Sequence, residues 1–401
     1  MEAIYADWLL AEMMPGTQSL IILGIILSSS ILADVVARHT RLPRISLLVM
    51  VGLAVAVVRQ GMWGEPYAPP LGELGEPLIH FALVMVAFLL GGELTVERLR
   101  ALGPVILVMS LAVIGVGATA VGLGLAALGF PLTVAVSLAA ISVATDPAAV
   151  TETIREARDT RLSARILLGI VAIDDAWGIL IFGLAMALLG WLGAGDGMQA
   201  MLLAGWELGG ALLLGVGIGL PGAWLTGRLR PGEPTQAEAI ALILLMAGLA
   251  SYFHVSALLS AMVAGCLIVN LSPHHTRSFA EIEHIEWPFL VFFFVLSGAS
   301  VELAYAGTAI GLTMAYLLLR LVGRYLGGRL GTRLLRSRET GLPRDVGLAL
   351  TPQAGVAMGM ALLAAERYPE EGPLIIAVVV VSTVVFELIG PLLVRRVLRA
   401  P

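Results

Sequence analysis

Two adjacent aspartates, Asp174 and Asp175, lie near the centre of a long apolar segment of the sequence, residues 162–190. A helix that crosses a bilayer core of roughly 30 Å needs about 20 such residues, so both carboxylates are predicted to lie near the membrane midplane. One aspartate at that depth costs about 2.5–3.5 kcal/mol on the insertion scale, and two neighbours also repel each other. We therefore interpret the pair as a site visited by a positive species: a metal cation, a proton, or both.

The donor atoms of this segment favour a hard cation. Carboxylates, a threonine hydroxyl and water are oxygen ligands that suit Na⁺ or Li⁺, and no soft ligand for Zn²⁺ or Cu⁺ lies nearby. Adjacent helix positions point about 100° apart, so one aspartate can face a water-filled cavity while the other faces a basic residue. Protons and Na⁺ would then compete for the same oxygens, which is the chemistry of antiport. No cofactor is expected.

The composition predicts an all-α polytopic membrane protein. The chain is 58% hydrophobic and only 13% charged, whereas a soluble domain carries roughly 25% charged residues. Its long continuous apolar runs are typical of transmembrane helices rather than of barrel strands. The net charge of −5 gives no sign of a nucleic-acid partner. Every one of the 24 basic residues is arginine, so any basic group inside the membrane must be arginine.

We predict about thirteen spans, at 18–37, 45–59, 78–93, 103–128, 131–154, 162–190, 198–227, 236–253, 255–272, 287–300, 303–328, 343–365 and 371–394. Outside the eleventh span, all arginines except Arg59 and Arg367 then fall on one side of the membrane. Because cytoplasmic loops are enriched in arginine, this distribution places the N-terminus outside and the C-terminus in the cytoplasm, in the inner (cytoplasmic) membrane of a cell.

The eleventh span carries two arginines, Arg320 and Arg324, four residues apart and hence on one helix face. Arg320 lies deeper, and we expect it to pair with Asp174. Arg324 is nearer the cytoplasmic end, and we expect it to extend towards the membrane surface. Glu387, in the inner half of the last span, is a further candidate for an ion pair with an arginine.

The sequence contains a repeat of opposite orientation. The segment "HFALVMVAFLLGGELTVERL" from His80 is similar to "PFLVFFFVLSGASVELAYAG" from Pro288, and each is followed by a Gly-rich span and then by a span interrupted at proline. The interruptions, at 145–147 and 351–353, are about 206 residues apart. An odd number of spans separates the copies, so they cross the membrane in opposite directions, as in many secondary transporters.

These interruptions predict two discontinuous helices that cross at the midplane. Proline removes a backbone donor, and the freed carbonyls and helix ends are tolerable only around a wet cavity or a buried ion site. Asp146 lies where the first helix breaks, beside the exposed amides of a half-helix, whereas the counterpart Gln353 carries no charge.

The strings "ISVATDPAAV" and, some 28 residues later, "AIDDAWG" resemble the monovalent cation/proton antiporter superfamily. The Asp-Asp pair is nearer the branch of the bacterial electrogenic sodium/proton antiporters. The resemblance covers nearly the whole chain and implies that Asp175 binds the cation and the competing proton, and that Asp174 is its proton-accepting or paired neighbour. It also implies supporting roles at the two helix breaks and on the basic helix, for Thr145, Asp146, Thr351, Gln353 and Arg320, with Arg324 as the second choice for the basic residue.

The same resemblance implies a division into a mobile core and a dimerising panel. The panel would comprise residues 1–101 and 236–302, the core residues 102–191 and 303–401, and a linking helix residues 192–235. A homodimer in the lipid bilayer is the implied assembly.

Three alternatives stay open at this point. The first is the same antiporter acting on K⁺, and the second is a sodium-coupled symporter of an organic anion. The third is a pH sensor or channel without proton counterflow. Electrogenic relatives often have lysine where this chain has arginine, whose proton is not readily released, so the sequence leaves the stoichiometry open.

Overall fold

The computed structural model of the chain describes residues 17–40, 43–62, 75–159, 161–193, 197–226, 235–272, 275–335 and 341–399. Within these ranges the regular structure is entirely helical. In chain order the α-helices are α1 (Thr17–Thr40), α2 (Arg44–Ala56), α3 (Gly75–Glu93), α4 (Val96–Ala127), α5 (Leu132–Ile141), α6 (Pro147–Ala157), α7 (Leu162–Gly193), α8 (Gly197–Thr226), α9 (Thr235–Phe253), α10 (Ala257–Leu271), α11 (His275–Ala299), α12 (Ala306–Leu334), α13 (Gly355–Arg367) and α14 (Gly372–Arg399). A π-helix, Val57–Met62, extends α2, and short 3-10 helices occupy Leu303–Tyr305 and Val346–Leu350.

The all-α membrane fold predicted from the sequence is confirmed. Seven helices of the described ranges are long and apolar enough to cross a membrane, and several shorter apolar helices lie between them. Each predicted span coincides with one helix or with a pair of half-helices. The count of thirteen crossings and the division into panel and core stay predictions.

Two of the predicted spans are interrupted, at the positions that the prolines indicated. The first consists of α5 and α6, which are separated by unwound backbone between Ile141 and Pro147. The second consists of the 3-10 helix Val346–Leu350 and α13, again with unwound backbone between them. The backbone N–H of Asp146 donates a hydrogen bond of 2.9 Å to the carbonyl of Pro352. The two unwound segments therefore touch directly, while their depth in the bilayer stays a prediction.

Helix α12 is held close to both α4 and the second break by glycines. A Cβ on Gly327 would lie 2.6 Å from the Cα of Val113 in α4, and one on Gly328 would lie 2.5 Å from the backbone N of Gly347. Such contacts leave no room for a side chain, so the backbones approach as closely as they do in small-residue helix packing. This packing fixes the rotation of α12, and with it the direction of the two arginines that α12 carries.

Two helix pairs in the other part of the fold pack through facing glycines. A Cβ on Gly52 of α2 would lie 2.0 Å from a carbonyl oxygen of α11, and one on Gly298 of α11 would lie 2.3 Å from a carbonyl oxygen of α2. Gly91 of α3 and Gly265 of α10 make the equivalent contacts, with both distances at 2.1 Å. Each pair joins a helix of the first repeat to a helix of the second.

Buried apolar side chains form two clusters, and each cluster includes one half of both broken helices. The larger runs through α2, α3, α9, α10 and α11 and also includes residues of α5, α13 and α14. The smaller joins α4, α6, α7 and α14 at the end where the arginines concentrate, with Met109, Leu167, Leu350 and Val394 among its members. The breaks and the aspartate pair are buried within this packed interior.

Candidate ion-binding site

Asp174 and Asp175 both lie on α7 and are completely buried. The two oxygens of the Asp174 carboxylate are both engaged. One accepts a hydrogen bond of 2.5 Å from the hydroxyl of Ser110 on α4. The other accepts a hydrogen bond of 3.0 Å from Nη1 of Arg324, in a buried ion pair. Asp174 is therefore fully satisfied by protein groups.

Asp175 is only half satisfied. Its Oδ1 accepts a bond of 3.2 Å from the backbone N–H of Thr145, in the first break. Its Oδ2 is buried and has no hydrogen-bond partner, and the hydroxyl of Thr145 has none either. Nearly all buried polar atoms in proteins are hydrogen-bonded, so unpartnered oxygens on two residues already in contact indicate a place for a ligand. Both are hard oxygen donors, of the kind that an alkali cation takes.

The pairing that the sequence predicted between Arg320 and Asp174 is wrong, because Arg324 makes that ion pair. Arg320 donates instead to three backbone carbonyls: to Ser142 at 3.1 Å, to Ala144 at 2.7 Å and to Thr351 at 2.5 Å. Its guanidinium also lies 4.5 Å from the centre of the Phe386 ring. It therefore bonds to both broken helices.

The expectation that Arg324 extends to the membrane surface is also wrong, since only 1% of its surface is exposed. Besides Asp174, Arg324 donates to the carbonyls of Ser142, Val143 and Ala144. The physical reason is the broken helix itself. The C-terminal end of α5 leaves carbonyls without intrahelical partners and carries partial negative charge, and a guanidinium with five N–H donors satisfies both requirements.

Asp146 caps the half-helix that follows the first break. Its Oδ2 accepts a hydrogen bond of 3.0 Å from the backbone N–H of Ala149, in the first turn of α6. This is the position predicted from the sequence, beside the free amides of a helix N-terminus, where a carboxylate is stabilising.

The second break holds Thr351 and Gln353, which are both completely buried. The Thr351 hydroxyl donates to the carbonyl of Leu348 and therefore binds within its own turn. The Gln353 side-chain carbonyl accepts from the Tyr316 hydroxyl at 3.2 Å, while its Nε2 has no partner. Of these two side chains, only Gln353 keeps an unpartnered group beside the site.

Glu387 does not make the ion pair with an arginine that the sequence suggested. Among the described residues no ion pair involves it, and its side chain lies beside Asp146 instead. Glu387 is 2% exposed, and its Oε1 has no partner. Both buried arginines are already engaged by carbonyls and by Asp174, which explains why neither reaches it.

Sequence reasoning missed two side chains and one set of main-chain groups at this site. Ser110 is one hydroxyl in an apolar span, and nothing in the sequence distinguishes it from other span serines. Tyr316 carried a usable signal, because it precedes Arg320 by four residues and therefore shares its helix face. The carbonyls of residues 142–144 could have been inferred from the predicted break, which requires donors for a free helix end.

Comparisons with known proteins bear on the fold and on the family. A family model described as sodium/hydrogen exchanger, transmembrane, matches residues 14–400. Among solved structures, the sodium proton antiporter MjNhaP1 from Methanocaldococcus jannaschii at pH 8 is similar, with a TM-score of 0.74, 17% identity, and coverage of 96% of this chain and 100% of that one. An electron-microscopy map of the same antiporter gives a TM-score of 0.68 at 17% identity, covering 96% and 99%. At this identity the likeness shows the fold alone. No curated protein matches the sequence.

Proposed function

This chain belongs to the sodium/hydrogen exchanger family, and on that premise we propose that it exchanges Na⁺, or the smaller Li⁺, for protons across the inner membrane of a cell. The observation that carries the proposal is the half-satisfied carboxylate of Asp175, which has one free oxygen and accepts a bond from the backbone of Thr145, a residue whose hydroxyl is also free. A K⁺ exchanger of the same fold would use the same oxygens, so the cation is decided by experiment.

Asp175 is the group at which the two ions compete. A proton on its free oxygen neutralises the carboxylate, and a cation on the same oxygen does so too, but the two cannot bind there together. A bare carboxylate in this dry interior is costly to move across the membrane. The site therefore moves across the membrane only when Asp175 carries a proton or a cation. This requirement couples the proton flux to the cation flux.

Asp174 and Arg324 set the charge balance of the exchange. Arginine does not give up its proton in proteins, so a second proton has to be carried by Asp174. Arg324 keeps its bonds to the carbonyls of residues 142–144 when Asp174 leaves it, so the guanidinium is not left without partners. We propose that Asp174 takes up this second proton when the cation leaves, which makes the exchange electrogenic.

The proposed movement is alternating access of a core made of α4–α7 and α12–α14 against a panel made of α1–α3 and α9–α11, with α8 as the linking helix. Arg320 bonds to both breaks, and Arg324 joins the first break to Asp174, so the two arginines hold the core helices together. The panel is the proposed surface of a homodimer. The N-terminus is proposed to lie outside and the C-terminus in the cytoplasm.

Purified protein in liposomes with an imposed pH gradient tests the proposal. Adding Na⁺ or Li⁺ should dissipate the gradient, and Asp175→Asn, which keeps the size but removes the charge, should abolish the response. Asp34→Asn, in an exposed ion pair at the end of α1, is the matched control and should leave the rate unchanged.

Three results would contradict the proposal. A response to K⁺ alone would assign a potassium exchanger, and cation flux without proton counterflow would assign a channel. Full activity of Asp175→Asn would remove that residue from the site. Electrogenicity is tested separately: a rate that does not respond to a valinomycin-clamped membrane potential would indicate one-for-one exchange.

A further inference from the structure

The same hydrogen-bond pattern occurs at two distant places in the fold. At the first junction, between α3 and α4, the side-chain amide of Asn270 donates to the carbonyl of Leu94 at 2.9 Å and accepts from the N–H of Val96 at 2.8 Å. At the second junction, between α11 and α12, the amide of Gln60 donates to the carbonyl of Val301 at 2.9 Å. It also accepts from the N–H of Leu303 at 3.0 Å. Each amide thus bridges a carbonyl and the N–H two residues later.

The two junctions are equivalent positions of the inverted repeat. Each follows the helix that begins one of the two similar segments noted in the sequence, and each leads into a long Gly-rich helix of the core. The amides come from the opposite repeat in both cases: Asn270 ends α10, which packs on α3, and Gln60 follows α2, which packs on α11. Each repeat therefore holds the junction of the other.

The two amides reach this pattern by different local structures. Asn270 lies in the last turn of a regular α-helix, where its Nδ2 also donates to the carbonyl of Cys266 at 2.7 Å. Gln60 lies in the π-helix Val57–Met62, and π-helical turns concentrate at functional sites. Two different local structures thus produce the same hydrogen-bonded bridge. This indicates that the bridge across the junction, rather than the helix type that carries the amide, is the functional feature.

Satisfying free helix ends explains only part of the pattern. The last carbonyls of α3 and α11 and the first N–H groups of the following helices lack intrahelical partners, and any donor or acceptor could satisfy them. A single planar amide that binds both sides of one turn does more, because it fixes the backbone of the turn itself. These turns are where the panel passes into the core.

We propose that Asn270 and Gln60 are positioning residues, two amide clasps that fix the pivots about which the core moves during exchange. The inference rests on the proposed function, since pivots are needed only if the core moves against the panel. In the proposed topology the first junction is cytoplasmic and the second external, so the two clasps define one pivot on each face of the membrane. Hinge residues of this kind act on turnover without touching the ion.

Variants that keep the shape but remove the donor test the clasps. In Asn270→Asp and Gln60→Glu a carboxylate faces the junction carbonyl, so the bridge is lost. Each should lower the turnover in liposomes by about fivefold, the effect of one net hydrogen bond, while equilibrium Na⁺ binding stays within about twofold of the wild type. Asn270→Gln retains the amide on an exposed side chain and should recover most of the turnover. Ser28→Ala, which removes only a bond within α1, is the control.

A distance measurement makes the test independent of transport. Spin labels on cysteines at Leu123 of α4 and Leu245 of α9, both exposed, report the separation of core and panel in a Cys266→Ala background. The distance distribution should broaden in each clasp variant and remain narrow in Ser28→Ala.

Unchanged turnover with an unchanged distribution would overturn the clasps. Turnover losses that follow the melting temperature, without recovery in Asn270→Gln, would assign a merely structural role. If the wild type transports no cation, the proposed function fails, and the distance distributions alone decide on the clasps.

Discussion

Asp174 and Asp175 are neighbours in the sequence, but their surroundings give them different chemistry. Each oxygen of Asp174 already accepts a hydrogen bond, one from Ser110 and one from Arg324. Asp175 keeps one free oxygen, and its other oxygen accepts from the backbone of Thr145, whose hydroxyl is also free. The difference arises because adjacent helix positions point about 100° apart, which directs one side chain to α4 and α12 and the other to the first break.

The ion pair between Arg324 and Asp174 predicts a large stability effect. Arg324→Ala leaves a buried carboxylate without its counter-charge, and such losses cost about 3–5 kcal/mol. Adding Asp174→Asn removes the orphaned charge, so the double variant should recover part of the loss in unfolding free energy. A double-mutant cycle in detergent measures this coupling.

The matched cycle uses Arg320→Ala with Asp174→Asn, because Arg320 is equally buried but bonds to carbonyls. Its coupling to Asp174 should be clearly smaller than that of Arg324. A larger coupling with Arg320 would restore the pairing that the sequence suggested and contradict the geometry described above.

The site residues show which parts of the arrangement a sequence can predict. The buried acids, both breaks and the two arginines on one helix face follow from hydropathy, proline and a four-residue spacing. Which of Arg320 and Arg324 pairs with Asp174 does not follow from the sequence, because it depends on the rotation of α12 against α7. That rotation is set by backbone contacts of Gly327 and Gly328, which involve helices distant in the sequence. The position of Glu387 beside Asp146 depends on the packing of α14 in the same way.

At the scale of elements, the loop between α6 and α7 contains an ion pair whose arginine also bonds to the end of α14. Asp159 accepts hydrogen bonds from the backbone and the guanidinium of Arg161, at distances from 2.8 to 3.1 Å. Arg161 also donates to the carbonyl of Leu398 in the last turn of α14. The connection therefore links the first broken helix, the helix of the aspartate pair and α14.

This connection predicts a pH-dependent stability. The hydrogen bonds from Arg161 lower the pKa of Asp159 below its ordinary 3.8. Stability from a lowered carboxyl pKa is present above the unfolded value and is lost as the pH falls through the folded one. Asp159→Ala should therefore lower the melting temperature at neutral pH, and the difference from the wild type should shrink as the pH falls below 3.8. A difference that stays constant or grows on acidification would show that the ion pair contributes nothing to the fold.

Across the whole molecule, several features occur twice, as the proposed inverted repeat requires. Two broken helices meet through the bond between Asp146 and Pro352, two glycine-packed pairs join the repeats, and two amides hold the two junctions. In a structure built from two oppositely oriented halves, each half can adopt the conformation that the other half had before. This exchange opens the site first to one side of the membrane and then to the other. The site itself breaks this symmetry, because Asp174 and Asp175 belong to the first repeat and both buried arginines to the second.

The distribution of arginine predicts the orientation of the whole molecule and can be tested directly. Positively charged loops remain in the cytoplasm because they are not translocated during insertion. Glu370, between α13 and α14, and Arg333, near the end of α12, are both exposed and lie at opposite ends of the second broken span. In a Cys266→Ala background, a cysteine at Glu370 should react with an impermeant maleimide from outside intact cells. A cysteine at Arg333 should react only after the membrane is opened, and in inverted vesicles the two should exchange behaviour. Labelling of both sites from the same side would show that the second broken span does not cross the membrane and would refute the topology.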